Sequence, residues 1–369
     1  MPSRASIFKV PALRFPEFSG EWTKIKLGDL GSFFSGGTPS SSRKDFYGGE
    51  IPFIRSGELH SDSTALSITK DAYDSCSAKM VNKGDLLLAL YGATSGDISI
   101  SRICGAINQA ILCIRPQYMD AYFIKSLWEK HKKHILETYL QGGQGNLSSE
   151  IIKNISFFFP NSDEQVKISR LIHIIDYRIE TQSKIIEEQE TLLKSLADSL
   201  ISSQVANMAL NDCVVARTSA MKESELENSG PFPVFGASGL CGYSNEALEE
   251  SDSILVTKDG SGVGTCQYAT GAHSFLGTLC SLTAKEGVYL PYVYYALLNF
   301  NFASFKTGLA IPHIYFKDYG KAIIYCPSYD EQVRIASGLE KIEAKIKSDK
   351  EHLKQYQLQK EYLLSRMFI

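Results

Sequence analysis

The sequence predicts a mixed α/β protein built twice over: two globular domains separated by two long antiparallel helices that form a coiled coil. Three observations carry that expectation. The segment Phe159-Pro160-Asn161-Ser162-Asp163-Glu164-Gln165-Val166-Lys167-Ile168 returns as Cys326-Pro327-Ser328-Tyr329-Asp330-Glu331-Gln332-Val333-Arg334-Ile335, an offset of 167 residues. Each copy opens a long stripe of apolar residues. Short apolar runs ending in glycine-rich turns precede each copy. A period of 167 residues is far too long for a solenoid, so the chain reads as two copies of one domain-plus-helix unit.

The repeated segment marks a helix start. Proline ends a strand, and the Asp-Glu pair that follows suits the positive end of a helix dipole. In the first copy Ile168, Ile172, Ile175, Ile179, Gln182, Ile186, Gln189, Leu193, Leu196 and Leu200 step by four and three, the spacing of a coiled-coil seam. The same register in the second copy is Ile335, Leu339, Ile342, Ile346, Asp349, Leu353, Tyr356, Lys360, Leu363 and Met367. A helix from Asp163 to Ile201 would be roughly 58 Å long at about 1.5 Å per residue, too long for the inside of one small domain. No proline interrupts either stripe, and Gly338 lies off the seam. A short amphipathic helix would simply face its own core; these two are expected to pair with each other. Because each starts at the C-terminal edge of its own globular copy, antiparallel pairing is the simplest arrangement. Such a pair serves as a spacer.

The expected organisation is a lead segment (1–20), a first globular domain (21–160), a central helix (161–205), a second globular domain (206–327) and a distal helix (328–369). In the first domain the run Gly84 to Leu90 reads as a buried strand entering the turn Tyr91-Gly92-Ala93-Thr94. In the second, Ser251 to Thr257 enters Lys258-Asp259-Gly260-Ser261-Gly262. Further strands at Gln109 to Ile114 and Thr278 to Leu282 align Cys113 with Cys280 at the same offset. Helices with aromatic faces follow around Tyr122 to His131 and Tyr292 to Phe300. Before the last strand of each domain lie the loops Gly142-Gly143-Gln144-Gly145-Asn146 and Gly308-Leu309-Ala310-Ile311-Pro312-His313. Matched strands with unmatched loops describe one scaffold presenting two different surfaces.

Composition narrows the function classes. The eight cysteines form no Cys-x-x-Cys pair and no zinc-finger spacing, which fits a reducing cytoplasm. The longest apolar runs are strand-sized, so no membrane span is expected, and no signal peptide is read at the N-terminus. A net charge of -3 rules out a coat of positive charge but not a local basic surface for phosphate. No phosphate-cradling loop of an ATP motor occurs, and no Asn/Asp-Pro-Pro-Tyr/Phe signature of an amino-methyltransferase. Phe235-Gly236-Ala237-Ser238-Gly239 and Gly260-Ser261-Gly262-Val263-Gly264 are glycine clusters in turns, without the helix and acidic partner of a cofactor site. The seven histidines form no His-Glu-x-x-His pattern, and no Gly-x-Ser-x-Gly elbow appears. No catalytic, metal or cofactor site is expected on this chain.

Leu13-Arg14-Phe15-Pro16-Glu17-Phe18, followed by Gly20-Glu21-Trp22 and Lys26-Leu27-Gly28-Asp29-Leu30, resembles the opening of type I restriction-modification specificity subunits. Gly36-Gly37-Thr38-Pro39-Ser40 and Ile51-Pro52-Phe53-Ile54-Arg55-Ser56-Gly57-Glu58-Leu59 resemble their first target-recognition domain. The twice-seen Pro-x-x-x-Glu-Gln before a long helix resembles their spacer regions. The resemblance covers essentially the whole chain. It implies that each globular copy reads one half of a bipartite, asymmetric site in double-stranded DNA, and that the helices set the gap and dock two modification (methyltransferase) subunits. It places S-adenosylmethionine, Mg2+ and ATP on partner subunits, among them a restriction motor-nuclease that can join the complex. The second copy lacks Gly-Gly-Thr-Pro and Arg-Ser-Gly-Glu-Leu, as expected if the half-sites differ.

Base reading needs loop donors and amides. Arg55 has the fork for guanine O6 and N7, and Gln144 and Asn146 have the amides for adenine N6 and N7. Thr38, Ser40, Ser56, Tyr91 and Thr94 stand in neighbouring loops. Lys258, Ser261, Lys306 and His313 occupy comparable loops of the second copy. Gly92, Gly143, Gly260 and Gly262 would let the backbone approach phosphate closely. Two other classes are weighed against this reading: a self-contained methyltransferase or endonuclease, which tight S-adenosylmethionine binding would reveal, and a coiled-coil adaptor, which would lack salt-dependent binding to duplex DNA.

Overall fold

The structure is a computed structural model that describes residues 9–140, 146–308 and 311–369. Chain contacts divide it into two compact units, Met1–Thr181 with Leu353–Ile369, and Gln182–His352. Both long helices therefore contribute residues to both units.

The first unit contains β1 (Thr23–Lys26), β2 (Gly31–Ser35), β3 (Tyr47–Ile54), β4 (Ser67–Ile68), α1 (Lys70–Asp74), β5 (Lys79–Val81), β6 (Leu86–Ala89), β7 (Ile98–Ile100), β8 (Gly105–Ile107), β9 (Ile111–Pro116), α2 (Ala121–Tyr139), α3 (Ser149–Asn154) and β10 (Ser156–Phe159). The first long helix, α4 (Ser162–Ala197), starts here. The second unit contains β11 (Met208–Ala209), α5 (Leu210–Cys213), β12 (Val214–Thr218), β13 (Phe232–Gly236), β14 (Gly239–Ser244), β15 (Ser253–Thr257), β16 (Cys266–Ala269), β17 (Ser274–Phe275), β18 (Leu279–Ala284), α6 (Leu290–Leu298), α7 (Phe316–Tyr319) and β19 (Ile323–Ile324), and the second long helix, α8 (Tyr329–Met367), starts in it.

Duplication extends to the wiring of the sheets. The antiparallel order β2-β9-β6-β7 in the first unit is repeated as β12-β18-β15-β16 in the second. A second sheet in each unit holds one parallel pair, β3 with β8 and β13 with β17. A short antiparallel ladder joins the first and last strands, β1 with β10 and β11 with β19. Cys113 sits opposite Leu87, and Cys280 opposite Val256, in equivalent strands.

Strand alternation explains why β6 is apolar at every position. Leu86 and Leu88 face a core shared with Phe123, Leu127 and Trp128 of α2, while Leu87 and Ala89 face a second core with Ile54, Ile107 and Cys113. A strand buried on both faces cannot show the apolar-polar alternation of a surface strand. The second unit repeats the inner core with Leu255, Phe275, Leu279 and Phe235. The helix expected around Tyr122 to His131 runs on to Tyr139, and the strands expected to start at Gln109 and Thr278 start at Ile111 and Leu279.

The long helices pair antiparallel within each unit. In the first, Arg178 stacks on Tyr356 and Asp176 binds Lys360; in the second, Gln189 Nε2 donates to Asp349 Oδ2 at 3.0 Å. Ile168, Ile172, Ile175, Ile186, Leu193, Ile335, Leu339 and Ile346 are buried; Ile179, Leu196, Ile342, Leu353 and Leu363 are half-buried. Leu200 departs from the expected seam, being 41% exposed while Ile201 is 2% exposed. The cause is local: the backbone widens to a π-helical turn over Asp198–Ser202, which rotates the next side chains out of the four-three register.

Polar seam positions have specific partners. Lys360 Nζ lies 2.7 Å from Asp176 and 2.8 Å from Glu129, and Lys125 Nζ lies 2.9 Å from Asp176 and 2.7 Å from Glu129. The Tyr122 hydroxyl donates to Asp176 at 2.5 Å. Burial pushes the Asp176 carboxyl up, but the charges of Lys125 and Lys360 and these hydrogen bonds outweigh it and hold the group below its ordinary 3.8. At Lys360 burial works downward, and Glu129 and Asp176 overcome it to raise the ammonium above 10.5. A depressed acid contributes stability at neutral pH that is lost as pH falls through its folded value, and a raised base contributes stability that is lost only as pH rises through its own. The contribution of the Asp176–Lys360 cluster to the attachment of residues 353–367 is thus expected to hold steady across neutral pH and to weaken below about pH 4. His131, whose ring meets the Ile369 carbonyl and whose pKa burial lowers, adds a separate loss of stability as pH falls through about 6.5. A difference in thermal midpoint between the wild type and Lys360→Met that shrinks between about pH 7 and 5 would contradict the steadiness of the cluster.

The repeated glutamine explains the repeated motif. Gln165 Nε2 donates to the Pro160 carbonyl at 2.9 Å while its Oε1 accepts from the Asp120 N–H at 3.2 Å, at the start of α2. Gln332 does the same in the second unit, donating to Pro327 O at 2.9 Å and accepting from Tyr289 N–H at 2.9 Å, at the start of α6. Both side chains are buried, so each amide ties the end of a sheet, the start of a long helix and the start of a domain helix together. The neighbouring glutamate diverges. Glu164 is buried and gripped by Arg14 through Nε and Nη2, both at 2.7 Å, whereas Glu331 pairs with exposed Arg334 on its own helix.

Candidate nucleic-acid interface

Each unit carries the same turn. After β6 the chain runs through Leu90 to Asp97 with Gly92 at φ +84° and Gly96 at φ +81°; after β15 it runs through Lys258 to Thr265 with Gly260 at φ +95° and Gly264 at φ +92°. These are left-handed conformations that residues with a Cβ rarely adopt, which accounts for glycine at both places. The hydrogen bonds match one for one. Ser95 N donates to Gly92 O, Gly96 N to Ala89 O and Asp97 N to Thr94 O; Val263 N donates to Gly260 O, Gly264 N to Thr257 O and Thr265 N to Gly262 O.

A loop from the other end of each domain closes on this turn. Asn146 bridges Tyr91, with Leu147 N donating to Leu90 O at 2.8 Å; His313 bridges Asp259, with Ile314 N donating to Lys258 O at 2.9 Å. The first unit thus brings Tyr91, Gly92, Thr94 and Asn146 together, and Gly143 and Gln144 lie outside the described residues. Thr38 joins them through Gln109: Thr38 Oγ1 donates to Gln109 Oε1 at 2.5 Å, and the Gln109 side chain also hydrogen-bonds the Tyr91 hydroxyl. Burial raises the pKa of that hydroxyl and the Gln109 bond opposes it. Gln109 is a site residue that the sequence reading did not single out; its only signal is a polar side chain just before an apolar strand.

Arg55 and Ser56 leave β3 beside Asn108, because Ile54 stands opposite Ile107 in the parallel pair. The Arg55 guanidinium is already engaged. Its Nε and Nη2 donate to Glu58 at 3.1 and 3.2 Å, and Glu58 also accepts from Ala65 N–H at 2.8 Å. Burial pushes Glu58 up, but these hydrogen bonds hold it below its ordinary range, so it stays ionised. A base contact by Arg55 requires exchanging that partner. Ser40 Oγ lies 2.8 Å from Ser42 Oγ in the same exposed loop, which Tyr47 anchors by donating to Pro39 O at 2.9 Å.

In the second unit Lys258, Gly260, Ser261, Gly262 and His313 share one surface. Gly260 N donates to Pro312 O at 3.1 Å, and Thr307, next to Lys306, exchanges backbone hydrogen bonds of 2.9 and 2.8 Å with His313. His313 Nδ1 lies 2.6 Å from Asp259 Oδ1, and Lys258 Nζ lies 3.6 Å from the other oxygen. Among the described residues no cluster of His, Cys, Asp or Glu is placed to hold a metal ion, and no helix is long and apolar enough to cross a membrane.

Two units sharing one four-stranded antiparallel sheet order, each presenting the same glycine turn closed by a loop of different sequence and each rooted in a long helix, define a duplicated scaffold. The family profile described as type I restriction modification DNA specificity domain matches it twice, over residues 19–191 and 203–356, and the chain belongs to that family. The EcoprrI specificity subunit of Escherichia coli is 20% identical over 363 residues, 88% of this chain and 87% of that protein. The MjaIX specificity subunit of Methanocaldococcus jannaschii is 27% identical over 188 residues, 48% of this chain and 42% of that protein. The crystal structure of a type I S subunit from M. genitalium superposes with a TM-score of 0.70 at 19% identity, covering 98% of this chain and 99% of that one, a likeness of fold.

Proposed function

We propose that this chain is the DNA-reading subunit of a type I restriction-modification complex, with each globular unit recognising one half of a bipartite, asymmetric site. The observation that carries this reading is one turn-and-loop frame built twice with different side chains on it, in a member of the specificity family. A frame that holds its backbone fixed while its side chains vary is what reading two unlike sequences requires. The long helices set the separation of the half-sites and dock two modification subunits, in keeping with the internal two-fold repeat. Catalysis belongs to those partners: S-adenosylmethionine sits on the modification subunits, ATP and Mg2+ on a motor-nuclease subunit, and this chain takes no cofactor. It works in the cytoplasm. Methylome sequencing of cells carrying the chain with its cognate modification subunit tests the proposal. The expected result is a methyladenine motif in two unlike halves around a fixed gap, absent when the chain is deleted; modification that continues unchanged without the chain would refute it.

A further inference from the structure

We infer that two equivalent positions in the frame, Tyr91 with Asn146 in the first unit and Asp259 with His313 in the second, are specificity-determining, and that His313 reads a base amino group. The inference rests on the DNA-reading role proposed above. Its ground is that the backbone at these positions is superimposable in its bonding while the chemistry is exchanged. Each pair forms the bridge between glycine turn and closing loop, and the next residue of each loop donates to the residue before the bridge, Leu147 to Leu90 and Ile314 to Lys258. One pair is a phenol and an amide; the other is a carboxylate and an imidazole.

The second pair is the more ordered. His313 is held on its backbone by Thr307 in both directions and by the Asp259 bridge, and on its side chain by the 2.6 Å contact of Nδ1 with Asp259 Oδ1. Its ring also stacks on Tyr315 at 6.5 Å and 20° between planes. An ionised carboxylate only accepts, so the proton of an uncharged His313 ring is on Nδ1 and Nε2 is left as an acceptor. The side chain keeps 35% of its exposure. In the major groove an acceptor is met by the amino group of adenine N6 or cytosine N4. The rotamer and tautomer are therefore set before DNA arrives, and little ordering remains to oppose the contact. In the first unit, Asn146 is exposed on the same frame and offers an amide, the group that pairs with adenine N6 and N7.

The test uses the full chain co-expressed with its cognate modification subunit and compares methylomes of the wild type with His313→Ala, His313→Asn and Asn146→Ala. His313→Asn places there the residue that the first unit carries, so it keeps the loop intact if alanine does not. Discrimination at one base pair of one half-site is expected to fall by a factor on the order of ten to a hundred in His313→Ala, with the other half-site unchanged. Asn146→Ala is expected to relax one position in the opposite half. An unchanged motif in the His313 variants, or relaxation spread over both halves, would overturn the inference. So would uniform loss of modification in both His313 variants, which would make His313 a scaffold or phosphate contact. A wild type that yields no bipartite motif would instead overturn the DNA-reading role itself.

Discussion

Trp128→Ala is expected to destabilise the first unit by about 3–5 kcal/mol. Trp128 is 1% exposed and packs in the core between α2 and the face of β6 that carries Leu86 and Leu88. Its truncation leaves a cavity that the surrounding sheet cannot collapse to fill. The indole also donates through Nε1 to the Gly96 carbonyl at 2.8 Å, which fixes the far end of the glycine turn that presents Tyr91 and Thr94. Trp128→Phe separates the two roles: it keeps most of the packing and loses about 1–3 kcal/mol from the orphaned carbonyl. Denaturant unfolding of both variants checks the order, and equal losses would mean that the hydrogen bond rather than the packing dominates.

Gln165→Ala and Gln332→Ala are expected to cost about 2–4 kcal/mol each, because each strands a proline carbonyl, buried at Pro160 and half-buried at Pro327, and a helix-start N–H together. The two effects are local to different units. Amide exchange is expected to accelerate at the start of α2 in Gln165→Ala and at the start of α6 in Gln332→Ala, with the other site protected as before. Acceleration at both sites in either variant would contradict the separate clamps that the hydrogen bonds describe.

The same glutamines show what the sequence yields and what it withholds. Their recurrence at an offset of 167 residues exposed the duplication, and the acids beside them marked the helix starts. Their role stayed hidden, because each reaches a backbone N–H more than forty residues away in the chain. The seam was legible through Ile346 because apolar spacing survives in a straight helix; it failed at Leu200, where the π-turn shifts the register. The glycine turns were legible from Gly92 and Gly260, since positive φ leaves a residue signature. Arg55 looked like a free fork because its partner, Glu58, sits in a short 3-10 turn that periodicity does not reveal. Gln109 was missed because its partners, Thr38 and Tyr91, come from two other loops. Sheet order needed the structure, as strands buried on both faces carry no mark of their neighbours.

The proposed function requires that the two units read separately. Its most direct test replaces residues 21–160 with the corresponding domain of another family member and sequences the methylome of the chimera with the modification subunit. The expected result is a motif in which one half is new, the other half is retained and the gap is unchanged. A motif altered in both halves, or in neither, would contradict it.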